Sequence, residues 1–133
     1  MPFIDSNPEA LVAMGNADPN QPIIILNMLR FRETALEGFG VDGMTGRDAF
    51  MRYGQMNAED DVTYGAEPIW VGPAHNTIIG DEKWDLVLLV RYPSRQHFID
   101  KLNDAVYLAS AQVRAAALED SRAIELTQFL PAQ

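Results

Sequence analysis

Hydrophobic positions along the chain fall into short runs whose period switches between the two-residue repeat of strands and the 3.6-residue repeat of helices. Ile23 to Phe31 is β-branched at its start and apolar on both faces, which predicts a central strand. Pro8 suits the first turn of a short helix over Asn7 to Met14, and Pro19 and Pro22 bracket a turn before the strand. The glycine-rich stretch Arg32 to Gly46 reads as a loop. Thr45 with Asp48 three residues on forms a helix start, and Ala49, Phe50, Tyr53 and Met56 follow as a buried stripe. The polar run Asn57 to Asp61 should end that helix. A second strand is expected over Tyr64 to Val71, stopped by Gly72-Pro73, and Gly80 to Lys83 should turn. Leu86 to Val90 is the most strand-like run in the chain. Pro93 ends it, and Ser94 caps a helix whose inner face is Phe98, Ile99 and Leu102. Asn103-Asp104 permits a break. Val106, Ala109, Val113, Ala116 and Ala117 carry a second stripe, and Ile124, Leu126 and Phe129 make a final short strand.

The resulting order of strand, helix, strand, strand, helix pair and strand is the split βαβ pattern of an α+β, ferredoxin-like βαββαβ sandwich. Residues 1–21 then form an N-terminal extension and residues 22–133 the domain. In such a fold helices cover one sheet face. The first and third strands are nevertheless apolar on both, so the second face needs a cover. A second copy of the chain supplies it by two-fold symmetry, giving a homodimer through the open sheet face. The competing cover is the N-terminal extension folded back over the sheet.

Composition narrows the function. A net charge of −9 lacks the basic footprint of nucleic-acid binding. The absence of cysteine excludes thiol catalysis and disulfides. No apolar run approaches the roughly 20 residues of a membrane span, and the opening Met-Pro-Phe-Ile-Asp is unlike a signal peptide. A cytoplasmic protein is expected. No His-Glu-x-x-His, Walker or Gly-x-Ser-x-Gly motif is present, and neither a metal nor a cofactor is expected.

Candidate chemistry lies in polar residues that interrupt apolar runs. Asn27 could hold a ligand between sheet and helices, or make a structural hydrogen bond. Arg30 could receive a carboxylate or phosphate through its planar fork of donors, or close a local ion pair. Asp85 and Arg91 share a face of the third strand, too far apart to pair with each other. Trp84 could line a pocket for a flat ligand or anchor a helix on the sheet. Arg114 can reach the edge of a cleft. His97 reads as a surface residue, which leaves His75 as the plausible imidazole acid or base. The candidate catalytic residues are His75 and Asp85, with Asn27, Arg30, Trp84, Arg91 and Arg114 as ligand-binding candidates.

Three stretches carry a family likeness: Leu26 to Arg32, Trp84 to Gln96 and Arg114 to Arg122. Together they resemble the uncharacterised DUF1330 family in its longer variant, over about Ile23 to Thr127. That family is similar to the dimeric α/β barrel superfamily, in which two sheets face each other and the helices lie outside. The resemblance implies a pocket between the sheet and the helices of one subunit. It also implies a small-molecule enzyme, a cofactor-independent monooxygenase or isomerase acting on a small organic acid or aromatic metabolite. The alternative is a non-catalytic dimeric ligand-binding or regulatory module.

Overall fold

A computed structural model of the chain describes residues 2–131. The outermost bounds expected for the extension and the domain, residues 1 and 133, lie outside them. In chain order the elements are α1 (Pro8–Gly15), β1 (Ile23–Phe31), α2 (Gly46–Met56), α3 (Ala58–Thr63), β2 (Glu67–Pro73), β3 (Leu86–Tyr92), α4 (Arg95–Leu102), α5 (Ala105–Ala117) and β4 (Leu118–Leu126). The four strands form one antiparallel sheet in the order β2-β3-β1-β4. This is the mixed α+β, ferredoxin-like arrangement that the order of elements predicted.

Local chemistry sets the boundaries. Asn7 caps α1 by accepting from Glu9 N, Thr45 caps α2 through Asp48 N, Ser94 caps α4 through His97 N and Asp104 caps α5 through Val106 N. Gly65 turns the chain into β2 at φ +68°, where a side chain would be strained and its Cβ would strike Pro93 at 2.6 Å. Gly46 sits where three backbones converge. A Cβ there would lie 2.1 Å from Arg32 O and 2.6 Å from Ala117 O.

Three expectations shift. Asn57 to Asp61 does not simply end the helix: the chain breaks at Asn57 and restarts as α3, which buries no residue of its own. The second strand begins at Glu67 and runs through Pro73, because Tyr64 and Gly65 are spent on closing α3. The last strand starts at Leu118, directly after α5, and Phe129 lies beyond it, exposed. Asp120 to Arg122 therefore ladder with β1, Asp120 opposite Arg30, Ser121 opposite Leu29 and Arg122 opposite Met28, while Glu119 falls at a shift of register.

Side-chain alternation divides the sheet. One face carries Ile23, Ile25 and Leu29 of β1 with Leu86, Leu88, Val90 and Tyr92 of β3, and all the core packing of the helices is on it. Ala49, Val113, Ala116 and Ala117 close the larger cluster, and Met14, Phe98 and Ile99 the smaller one. The other face carries Leu26 and Met28 of β1, Val87 and Leu89 of β3, Ile124 of β4 and Trp70 of β2. Trp70 and Ile124 are exposed there, 51% and 44% respectively. No helix among the described residues is long and apolar enough to cross a membrane.

Candidate functional site

Between the helix-covered sheet face and the helices lies a cavity of about 410 Å³. This is within the size range of small-molecule sites. Its floor is Ile25, Asn27 and Leu29 of β1, Leu88, Val90 and Tyr92 of β3, and Ser121 and Ala123 of β4. Phe50 and Tyr53 of α2, Asn57 at the α2–α3 break, Phe98 and Lys101 of α4, and Tyr107 and Arg114 of α5 form the roof. Residues 3–7 make one wall. A neighbouring hollow of about 460 Å³, lined by Leu11, Ile99, Leu108 and Ala111, shares Ile4, Asp5, Ser6, Leu102, Tyr107 and Arg114 with the first. Arg114 and Tyr107 thus stand at the boundary between the two spaces.

Two polar groups face into the cavity. In the first, Lys101 Nζ lies 2.5 Å from Asp61 Oδ1 and 3.3 Å from the Tyr92 hydroxyl. The Lys101 side chain is only 12% exposed, and burial works against its charge. Tyr92 and Asp61 outweigh that cost and hold the ammonium above its usual range. Burial raises the Tyr92 phenol, with Lys101 opposing. In the second group, Tyr53 and Tyr107 sit close to Arg114. Burial, followed by Tyr107, pushes the Tyr53 phenol far up, so its hydroxyl remains a donor. The Arg114 guanidinium donates to Ile4 O at 2.9 Å.

Asn57, at the break between α2 and α3, adjoins these groups. Its amide nitrogen donates to Tyr53 O at 3.0 Å and to Ser110 Oγ at 2.8 Å, and its buried carbonyl oxygen has no partner among the described residues. A buried acceptor without a partner is uncommon and costly.

The wall of residues 3–7 is pinned from β4 and α5. Phe3 N donates to Asp120 Oδ1 at 2.8 Å, Ser121 Oγ donates to Phe3 O at 2.7 Å, and the Arg122 guanidinium lies 4.9 Å from the Phe3 ring centre. The N-terminal residues thus turn toward the cavity, whereas the alternative reading had them covering the open sheet face.

Of the seven candidates read from the sequence, Asn27 and Arg114 line the cavity. Asn27 donates to Ile25 O at 3.4 Å. Arg30 points to the opposite sheet face, where it donates to Lys83 O at 2.6 Å, approaches Asp120 at 3.7 Å and lies 5.1 Å from the Trp84 ring centre. Arg122 lies 5.0 Å from the same ring, so Trp84 packs against two guanidinium groups and is absent from the cavity lining. Asp85 accepts from Phe31 N at 2.8 Å and extends the β1–β3 ladder. Arg91, also on the opposite face, donates to Gln128 Oε1 at 3.3 Å. His75 is exposed in the loop after β2 and outside the cavity lining. Neither His75 nor Asp85 is part of the cavity lining, and Asp85 is directed to a backbone amide.

Tyr53, Asn57, Asp61, Lys101 and Tyr107 are lining groups that the sequence reading did not single out. The available signal was a hydroxyl inside the apolar stripe of α2, at Tyr53. Asn57 and Asp61 looked like solvated helix-end residues, and only tertiary packing turns them inward.

No protein-family model matches the chain, and no curated protein matches it, so DUF1330 stands as a resemblance. Among solved structures, RPA0582, a protein of unknown function from Rhodopseudomonas palustris, superposes with a TM-score of 0.89 at 33% identity, covering 98% of this chain and 100% of that one. The methylated form of RPA0582 gives 0.89 at 32% identity, covering 99% and 98%. A dimeric protein of unknown function and ferredoxin-like fold from Bacteroides fragilis matches with a TM-score of 0.53 at 10% identity, over 80% of this chain and 96% of that one, and bears on the fold alone. With a third of its residues identical over the full length of the Rhodopseudomonas palustris protein, the chain belongs to the same family as RPA0582.

Proposed function

We propose that the protein binds a small organic molecule in the cavity between sheet and helices, as a homodimer of the dimeric α/β barrel kind that its DUF1330-like motifs suggest. The observation that carries this reading is the cavity, where Tyr53, Asn57, Lys101, Tyr107 and Arg114 converge on an otherwise apolar space. As an enzyme it would work without a cofactor on a small organic acid or aromatic metabolite. The proton-handling role first read for His75 then passes to the Asp61–Lys101–Tyr92 chain, linked beside the cavity by an ion pair and a hydrogen bond. A second reading, a non-catalytic binding module, is supported by the local partners of Arg30, Arg91 and Arg122, none of which waits for a substrate.

Two features support the dimer. The open face holds a contiguous apolar row of Leu26, Met28, Val87 and Leu89 with Trp70 and Ile124 exposed beside it, and the Bacteroides fragilis neighbour is described as dimeric. Native mass spectrometry of protein purified gently from its source tests both parts. A dimer carrying a discrete extra mass supports the reading. Leu89→Arg, in the middle of the open face, should shift the mass to the monomer. A wild-type monomer at micromolar concentration rules out the dimer, and a cavity that accepts no small molecule rules out the binder.

A further inference from the structure

The cavity lining contains three cations, and their partners differ. Lys101 is matched by Asp61 at 2.5 Å. Arg122 is matched by Asp120 at 2.8 Å and Glu82 at 2.9 Å. Arg114 has no acidic partner among the described residues, and its one hydrogen bond is to the neutral carbonyl of Ile4. The remaining acid of the lining, Asp5, is exposed and lies within ion-pair distance of no described cation. One half-buried positive charge is therefore left over at the cavity, in a chain whose net charge is −9. A charge removed from water is normally matched.

We infer that the cavity takes a monoanionic carboxylate with an apolar body, the carboxylate resting on Arg114 and the body lying between Phe50, Leu29, Leu88 and Phe98. This rests on the cavity reading above and names its ligand class. Charge count selects a monoanion: a phosphate dianion would need a second unmatched cation, and Lys101 and Arg122 are already neutralised. Geometry selects a carboxylate. Arginine presents a planar fork that two carboxylate oxygens can share, and one bond to Ile4 O leaves its other N–H donors available. The hydroxyls of Tyr53 and Tyr107 stand beside it as further donors.

Matched probes test this on the full chain. Cinnamate, indole-3-acetate and hexanoate are titrated beside their primary amides, and binding is followed by backbone amide NMR shifts. At least one acid should move the amides around Tyr53, Tyr107 and Arg114, and bind tenfold or more tightly than its amide. Arg114→Gln should erase that preference by bringing the acid's affinity down to that of its amide, and Arg114→Lys should restore part of it. The acid–amide comparison on the wild-type protein needs no variant, so it stands even if Arg114→Gln loosens the wall at Ile4. Amides that bind as well as the acids overturn the carboxylate and leave the cavity reading intact. Shifts confined to other surfaces, or none with any probe, overturn both.

Discussion

Asp120 of β4 accepts the backbone N–H of Phe3 at 2.8 Å, across 117 positions of sequence, and so fixes the start of the chain as a wall of the cavity. The same carboxylate receives Arg122 Nη1 at 2.8 Å and the amide of Ser121. Burial works against the Asp120 charge, but the Phe3 amide, then Arg122, then the Ser121 amide outweigh it, and the carboxyl is held below its usual range. Its contribution to folding is therefore complete above the unfolded carboxyl value of about 3.9 and is lost as pH falls from there through the lower folded value. Hydrogen exchange should show the Phe3 amide losing protection in that acid window before Leu29 does. In Asp120→Asn the loss should already be present at pH 7. Equal protection of Phe3 in wild type and variant at neutral pH would show that Asp120 does not pin the wall.

Asn57 connects two helices and the cavity. Asn57→Ala removes the bonds to Tyr53 O and Ser110 Oγ inside a site that is 2% exposed. A loss of about 1–3 kcal/mol is expected in urea unfolding. Asn103 makes the same kind of bond to Ile99 O at 3.0 Å, but at an exposed position. Asn103→Ala should cost distinctly less. Similar costs for the two would remove the special place given to Asn57.

Gly46 has no room for a methyl group. Its Cβ would meet backbone at Arg32 O, Ala117 O and Arg32 N, so α2, α5 and the end of β1 would have to separate. Gly46→Ala should lose about 3 kcal/mol. Gly54→Ala, on the same helix with open space around the position, should be neutral or slightly stabilising. Thermal unfolding of the two variants side by side decides this.

Asp60 and Asp104 form a carboxyl pair between α3 and the start of α5. The hydrogen bond to Asp104 is the main cause that raises Asp60, followed by burial and the Asp104 charge. Asp104 is lowered, first by Asp60 and then by the Tyr64 hydroxyl, which donates to it at 2.8 Å. For Asp60 the sign is the reverse of that for Asp120. Its stabilisation is complete below the unfolded carboxyl value and fades as pH rises through the raised folded value. Asp60→Asn keeps a donor without the charge. Its melting temperature should equal that of wild type near pH 4 and exceed it increasingly toward pH 8. A pH-independent difference would show that no proton is shared.

Much of the fold was legible because caps and periodicity are local. Thr45, Ser94 and Asp104 fixed three helix starts, and the two-sided apolar character of Ile23 to Phe31 marked a central strand. The misread segments are those where long-range pairing overrides local preference. Glu119 to Arg122 look like the polar end of a helix, yet they belong to β4, where Asp120, Ser121 and Arg122 pair with Arg30, Leu29 and Met28. Tyr64 looks β-prone, yet it closes α3 and gives its hydroxyl to Asp104.

The candidate site divides in the same way. Sequence alone determined that Asn27 and Arg114 are polar interruptions on elements that bury one face, because alternation and helical period are properties of neighbouring residues. It could not tell Arg114 from Arg30 or Arg91, since all three are arginines between apolar neighbours. Only the tertiary structure decided which of them meets a carboxylate, a carbonyl or a cavity. Ion pairing depends on distances of a few ångströms between residues far apart in the chain. The packing of α2, α4 and α5 on the sheet sets those distances, and no pattern along the sequence records them.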